Sequence, residues 1–398
     1  MTAPKDAAAR SSPLEDVAAF RSAFAAYLSS DPRLDQWRGR HYSSAEARIA
    51  HHGELLALLY AEGWNRYGWP DAAGGVGGDE RHRAAFYDAL SAAELPVPDP
   101  NLMLETLGPP LIRFAPELAA RFLPAYLRGQ EWWGQCFSEP EAGSDLAALR
   151  CRARREGDSY VVSGHKIWTS HGATARRLVC LVRTGTPESR HRGLSMILVD
   201  ADAPGVTVRP IALASGYNEL AEIFFDDVVT PADRLIGEEG QGWAVAMYLL
   251  QFERALYAWL MSGVMLRTLR QLRAMAADRR RTGMSPPADA ASRIGECYLD
   301  VAALRARSAA TVGKLAAGET VGPEASIDKI LLADAEVAVH DCGRDLFGEQ
   351  FLFDPRPELE QLRADWWYSR SATILGGAAE VQRGIVADHL LGLPKERS

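Results

Sequence analysis

The sequence predicts an α+β chain in three successive parts: a helical N-terminal domain, a central β-domain and a C-terminal helical bundle. Three observations predict it. Apolar residues recur at helical spacing over 14–30, 45–62, 81–95 and 116–127. From residue 132 the period shortens to that of strands, and from 241 helical spacing returns in longer runs. At 398 residues the chain also exceeds one usual core, so two or three domains are expected.

In the N-terminal part, short Pro-, Gly- and Asp-rich segments separate the helical runs and act as breakers. The central part contains SYVVSGHKIW, RLVCLV, LSMILVD, VTVRPIAL and AEIFFDDV. These are short, rich in β-branched and aromatic residues, and bounded by Gly, Asp and Pro, which argues for about seven strands. The last part has helical periodicity over 241–277, 290–316, 323–346, 358–373 and 377–391, a bundle of about four or five helices. The expected division is 1–131, 132–240 and 241–398.

Composition narrows the function class. With 47% apolar residues, 44 basic against 52 acidic side chains and a net charge of −8, the chain reads as globular and mildly acidic, with no global attraction to nucleic acid. Five scattered cysteines form no CxxC pair, and nine histidines show no metal-ligand spacing, so no metal site is expected. The start, MTAPKDAAARSSPLED, lacks an apolar signal core, which with the reduced thiols predicts a cytoplasmic protein. Residues 244–265 are apolar but interrupted by Gln251, Glu253 and Arg254, so they read as a buried helix rather than a membrane span. Arg279, Arg280 and Arg281 read as a solvated helix end, with a phosphate contact as the other reading.

Two segments carry the chemistry: EWWGQCFSEPEAGSD at 131–145 and WTS at 168–170. The first leads from a short strand into a Gly/Pro/Ser turn that offers backbone N–H groups and a hydroxyl. The second sets an indole beside two hydroxyls at a strand end. A flat ring with hydrogen-bonding edges fits between them. The competing reading makes Trp168 an ordinary core residue in a hairpin-rich domain.

The pair CFSEPEAGSD and GHKIWTS resembles the flavin-binding signature of the acyl-CoA dehydrogenase family. GWPDAAGGVGG at 68–78, HRGLSMILVDADAPGVTVRPI at 191–211, FFDDVVTPADRLIGEEGQGW at 224–243 and ILGGAAEVQRGIVADHLLGLP at 374–394 extend the resemblance over nearly the whole chain. It implies a β-barrel between two helical domains, bound FAD, and α,β-dehydrogenation of an acyl thioester to the trans-2-enoyl product. Carried over, backbone groups near Phe137 and Ser138 would meet the pyrimidine edge of the flavin, Trp168 would cover a ring face, Ser170 would donate toward N5, and Ser144 would contact the pyrophosphate. Gly143, Thr169, Arg281 and Glu380 complete the cofactor set that the resemblance implies.

Many relatives hold the α-proton base in a Tyr-Glu-Gly-Thr-like turn near the C-terminus. Here that turn reads Leu375-Gly376-Gly377-Ala378, without a carboxylate. A second subgroup places the base in a Glu-Arg pair on another helix, which Glu253-Arg254 matches. The residues support this independently. Leu249, Leu250, Leu256, Tyr257 and Leu260 surround Glu253 at helical spacing, so a carboxylate sits on an apolar stripe. Arg254 is expected to point elsewhere. The competing reading is a structural Glu bridged to a distant Arg such as Arg383. The backbone N–H of Gly376 would keep the family's thioester-oxygen role.

The family's Arg-x-x-Phe-Gly segment, which reaches a neighbouring subunit's FAD, is only loosely matched by RRRTGMSPPADAASR at 279–293. Ala378 and Asp345 replace a usual Thr and Gln. One member of a heteromeric pair and a divergent homo-oligomer, as dimer or tetramer, both fit. The substrate carrier is either coenzyme A or a carrier protein, and the acceptor an electron-transfer flavoprotein. Other readings are a flavin oxidase or monooxygenase on the same fold, and a partner subunit that completes another chain's FAD site. Tyr217, Tyr257 and Trp259 are candidates to line the acyl space.

Overall fold

Side-chain caps set the first helices. Asp16 accepts from the Ala18 N–H and starts α1 (Val17–Ser30), Ser44 starts α2 (Ala45–Ala61), and Asp79 forms a capping box with His82 at α3 (Glu80–Ala92). Phe20, Phe24 and Leu28 recur every four residues on α1 and are fully buried, packing with Phe86 and Tyr87 of α3. The computed structural model describes residues 16–281 and 287–394, the side chains of 279–281 excepted.

A helix that the sequence reading missed follows: α4 (Asp99–Phe114). It contains Gly108, Pro109 and Pro110, which read as a break. Tertiary burial overrides their propensity, because Leu104, Leu107 and Leu111 of α4 enter a core shared with later strands and helices. Next comes α5 (Pro116–Leu127), whose bounds match the periodicity.

Eight strands follow: β1 (Trp133–Cys136), β2 (Arg152–Glu156), β3 (Ser159–Ser170), β4 (Arg177–Arg183), β5 (Leu194–Asp200), β6 (Val206–Ile211), β7 (Leu220–Pro231) and β8 (Leu235–Ile236). Their order is β6-β7-β3-β2-β4-β5-β8, with β1 parallel to β4 off that path. Tyr160, Leu178, Ile197, Ile223 and Phe225, from four strands, collect in one buried cluster, so one face packs on itself. Among the described residues the pairings join no strand to both β6 and β8, which stand at the two ends. The central unit is therefore a sheet with two ends, where the resemblance implied a barrel.

Helical structure resumes with α6 (Gly242–Arg281), α7 (Ala290–Ala316), α8 (Ala325–Phe347), α9 (Glu349–Phe353), α10 (Pro357–Ser369) and α11 (Ala379–His389). Helix α6 packs against α3 and α4, against α7 and α8, and against β4 and β5. Trp133 of β1, Leu104 of α4 and Leu249 of α6 belong to one core. The first third of α6, where Glu253 lies, is thus where all three parts of the chain meet.

Candidate active site

The loop after β1 is fixed from beneath by a buried ion pair. Glu139 accepts from the backbone N–H of Arg150 at 2.7 Å and of Cys151 at 2.8 Å, and from Lys166 Nζ at 2.8 Å. Lys166, fully buried on β3, also donates to the Phe137 carbonyl at 2.9 Å. The Ser138 carbonyl accepts the Ile167 N–H at 3.0 Å. A buried carboxylate is tolerated because cation and donors surround it. The sequence reading did not assign Glu139 or Lys166. No local pattern marks the pair, since β3 carries Ser163, His165, Thr169 and Ser170 besides Lys166. Phe137 packs into the core, while Gly143 and Ser144 are exposed at the loop tip, with open space around Gly143.

Trp168 owes its position to a bulge. In the β3–β7 ladder Lys166 faces Ile223 and Thr169 faces Ala221, so β3 advances three residues while β7 advances two. Strict alternation would put Trp168 on the buried side with Lys166. The extra residue instead gives Trp168 a left-handed φ of 63° and leaves its side chain 54% exposed. A non-glycine residue there costs about 1–3 kcal/mol. The core-residue reading of Trp168 is therefore wrong. Thr169 is turned inward, its hydroxyl 3.4 Å from Cys136 Sγ, and Ser170 is half-buried.

On the helical side, Glu253 meets the turn that leads into α11. A Cβ built on Gly376 would lie 2.9 Å from Glu253 Oε1 and 3.2 Å from Lys329 Cε. Gly376 and Gly377 have φ of 68° and 105°, and a Cβ on Gly377 would collide with Gln382 Nε2 at 2.1 Å. Both positions therefore require glycine. The turn is held by Leu375 N–H to the Ser371 carbonyl, by Ala379 N–H to the Thr373 carbonyl, and by Lys329 Nζ to the Ala372 carbonyl at 2.5 Å.

Burial raises the pKa of Glu253, opposed by Arg254, Lys329 and the Gln135 side chain. Its Oε2 has no hydrogen-bond partner. Gln135 stands on β1 within the motif EWWGQCFSEPEAGSD, so it links the strand motif to the carboxylate. Arg254 was expected to point away. Its long side chain instead bends to the turn, with Nη2 3.9 Å from the Gly377 Cβ position. The bridge to Arg383 does not form, since Arg383 lies 3.9 Å from Asp334 in an exposed pair. Burial also lowers the pKa of Lys329.

The predicted residues thus divide into a strand group (Phe137, Ser138, Gly143, Ser144, Trp168, Thr169, Ser170) and a helical group (Glu253, Gly376). Glu380 is exposed in the first turn of α11. The side chains of Arg279, Arg280 and Arg281 lie outside the described residues. Asp345 is held by Arg293 at 2.7 Å and Arg344 at 2.8 Å. Among the described residues no group of three or more His, Cys, Asp or Glu side chains could hold a metal ion, and no helix is long and apolar enough to cross a membrane.

Residues 134–228 match the family model described as acyl-CoA dehydrogenase, middle domain, and residues 240–391 match acyl-CoA dehydrogenase, C-terminal domain. The chain is 36% identical over 359 residues to acyl-CoA dehydrogenase IpdE1 of Mycobacterium tuberculosis, covering 90% of this chain and 91% of that protein. It is 28% identical to cyclohexane-1-carbonyl-CoA dehydrogenase of Geobacter metallireducens, covering 85% and 89%. Among solved structures it is similar to the Tcur3481-Tcur3483 steroid ACAD, with a TM-score of 0.80, 26% identity, and 96% and 98% of the chains covered.

Proposed function

This chain belongs to the acyl-CoA dehydrogenase family of flavoprotein oxidoreductases, and from that premise we propose that it catalyses FAD-dependent α,β-dehydrogenation of an acyl thioester to the trans-2-enoyl product. The observation that carries the reading is the meeting of Glu253 with the Gly376 turn. A half-buried glutamate, its Oε2 buried and unpartnered, stands where a side chain at 376 would otherwise project.

Glu253 is the base that takes the α-proton, and burial tunes it upward for that task. Gly376 N–H holds the thioester oxygen as negative charge builds on it. Trp168, Ser170 and the 137–144 loop would hold the isoalloxazine, and Ser144 would meet the pyrophosphate. The outward indole and the open loop tip fit such a group. FAD, when bound, supplies the acceptor for the β-hydrogen as hydride. Lys166 and Glu139 position that loop from below.

The segments 1–131, 132–240 and 241–398 are read as two helical domains around a β-domain. The assembly is oligomeric, and the two-protein name of the steroid relative favours a heteromeric partner. The ion-paired Asp345 leaves a carboxylate where the family presents a neutral Gln, which also favours a pair of unlike chains. Names of relatives point to a cyclic or steroid-derived acyl group on coenzyme A.

The test is anaerobic addition of a cyclic acyl-CoA to the flavin-loaded assembly. Bleaching of the flavin bands with formation of the enoyl thioester is expected. A flavin that stays oxidised with every acyl thioester tried, or a chain that takes up no FAD with any partner, would overturn the reading.

A further inference from the structure

Among the described residues two lysines are buried, Lys166 and Lys329. Glu139 accounts for Lys166. Lys329, on α8, makes no ion pair within 4 Å among the described residues. Taking an ammonium out of water with no carboxylate against it is costly, so its placement needs a reason.

Two contacts supply one. Lys329 Nζ donates at 2.5 Å to the carbonyl of Ala372, a buried residue of the turn that follows α10 and leads to Gly376. Carbonyls beyond a helix end attract a cation. The second contact is with the site itself. Lys329 Cε lies 3.2 Å from the point that a Cβ on Gly376 would occupy, and Glu253 Oε1 lies 2.9 Å from the same point. The lysine and the carboxylate therefore flank one spot beside Gly376 from two different helices.

The charges around Lys329 follow from the packing of α8 against α6, α7, α9, α10 and α11. Glu253 and Arg254 act on it from α6, and Glu336 and Asp334 from α8 itself. Asp328, its neighbour on α8, is turned to Thr311 and Arg307 of α7. Asp365 of α10 and Arg370 at its end act on Glu336, and Arg383 of α11 pairs with Asp334. The short α9 carries the exposed Glu349, and residues 371–378 carry no charged side chain. Burial lowers the Lys329 pKa, opposed by Glu336 and then Glu253.

We propose that Lys329 is a positioning residue for the base: its ammonium fixes the turn that carries Gly376 and holds Glu253 in the ionised, proton-accepting form. This rests on the acyl-thioester reading and deepens it. When Glu253 takes the α-proton it becomes neutral, and the ammonium stays as positive charge beside the turn whose N–H serves the thioester oxygen.

The test reads the pair from both sides. The chain has five lysines, so lysine labelled with ¹³C at Cε gives at most that many signals when only this chain of the flavin-loaded assembly is labelled. In Glu253→Gln one signal is expected to titrate about 1 pH unit lower or more, because the carboxylate that favours the ammonium is gone. If no lysine signal moves, the pairing is overturned, and this arm needs no variant at 329 to fold. From the other side, flavin reduction by an acyl thioester is followed against pH. Loss of the ammonium disfavours ionised Glu253, so in Lys329→Met the rising limb should move up by about 1 pH unit or more. Lys329→Arg should bring it back toward the parent. A limb that stays in place in Lys329→Met, or that moves equally in both variants, means that Lys329 only fills space and overturns the proposal. Coupled lysine titration without flavin reduction by any acyl thioester upholds the pair and overturns the dehydrogenase reading.

Discussion

Glu253→Gln separates basicity from shape. The amide occupies the same volume, and its N–H2 can take the place of Oε2, which has no partner to lose. General-base catalysis contributes about 10²–10⁴-fold, or about 3–5 kcal/mol of barrier. The reductive half-reaction, followed anaerobically by stopped flow as the flavin bands bleach, should slow by that factor. Stability should not fall with it. The folded-state pKa of Glu253 is raised, because burial outweighs the attraction of Arg254 and Lys329. A group with a raised folded pKa contributes stability below its unfolded pKa and loses it as pH rises through the folded value. Above its folded pKa the ionised Glu253 is thus on the unfavourable side, and there the Gln variant should unfold at the same midpoint or slightly higher. The parent's reduction rate should climb with pH, with a midpoint above the ordinary glutamate value, and that limb should vanish in the variant. A Gln variant that reduces its flavin within about threefold of the parent would refute the assignment of the base. A marked loss of stability would refute the electrostatic argument.

Two further perturbations address the strand group. Trp168→Ala should weaken flavin binding by about 1–3 kcal/mol through lost stacking area. The unfolding midpoint of the flavin-free chain should hold, because the indole is more than half exposed; unchanged flavin affinity by equilibrium dialysis would remove Trp168 from the site. Lys166→Met leaves Glu139 buried with only the Arg150 and Cys151 backbone donors, which should cost about 3–5 kcal/mol in urea unfolding. A loss under about 1 kcal/mol would mean that those two donors suffice to hold the loop.

What the sequence could and could not reveal follows from the range of each interaction. Periodicity found α5 to the residue and the long helices after 241, because amphipathic spacing is local. It missed α4, since Gly108, Pro109 and Pro110 signal a break that only burial of Leu104, Leu107 and Leu111 overrides. It missed β2, whose RARRE reads as a charged loop because one residue of the five is buried. The motifs located Trp168, but not why it is exposed: a bulge is a property of two strands' register. The Glu139–Lys166 pair spans 27 residues and has no local pattern. The helical stripe found Glu253. It could not find Gln135 beside it, nor the bend of Arg254 toward Gly377, because neither depends on the order of residues along α6.

The turn without a carboxylate and the helix with one are two answers to the same spatial requirement. A Cβ on residue 376 would stand 2.9 Å from Glu253 Oε1. A carboxylate hung from either backbone therefore enters the same small region, walled by Lys329 and Arg254. Both could not be held ionised there, since two carboxylates at such range share one charge and one of them keeps its proton. Under the proposed reaction, moving the base to α6 removes the need for any side chain at 376. A left-handed glycine then fills that place, and its backbone N–H remains for the thioester oxygen. The φ of 68° makes the exchange hard to reverse one residue at a time. A Glu restored at 376 would meet both an unfavourable backbone and an occupied position. Judged by the 374–378 turn alone, the chain lacks its base. Judged by the apolar stripe of α6, it carries a carboxylate beside Lys329 and Arg254, and the proposed reaction uses that carboxylate as its base.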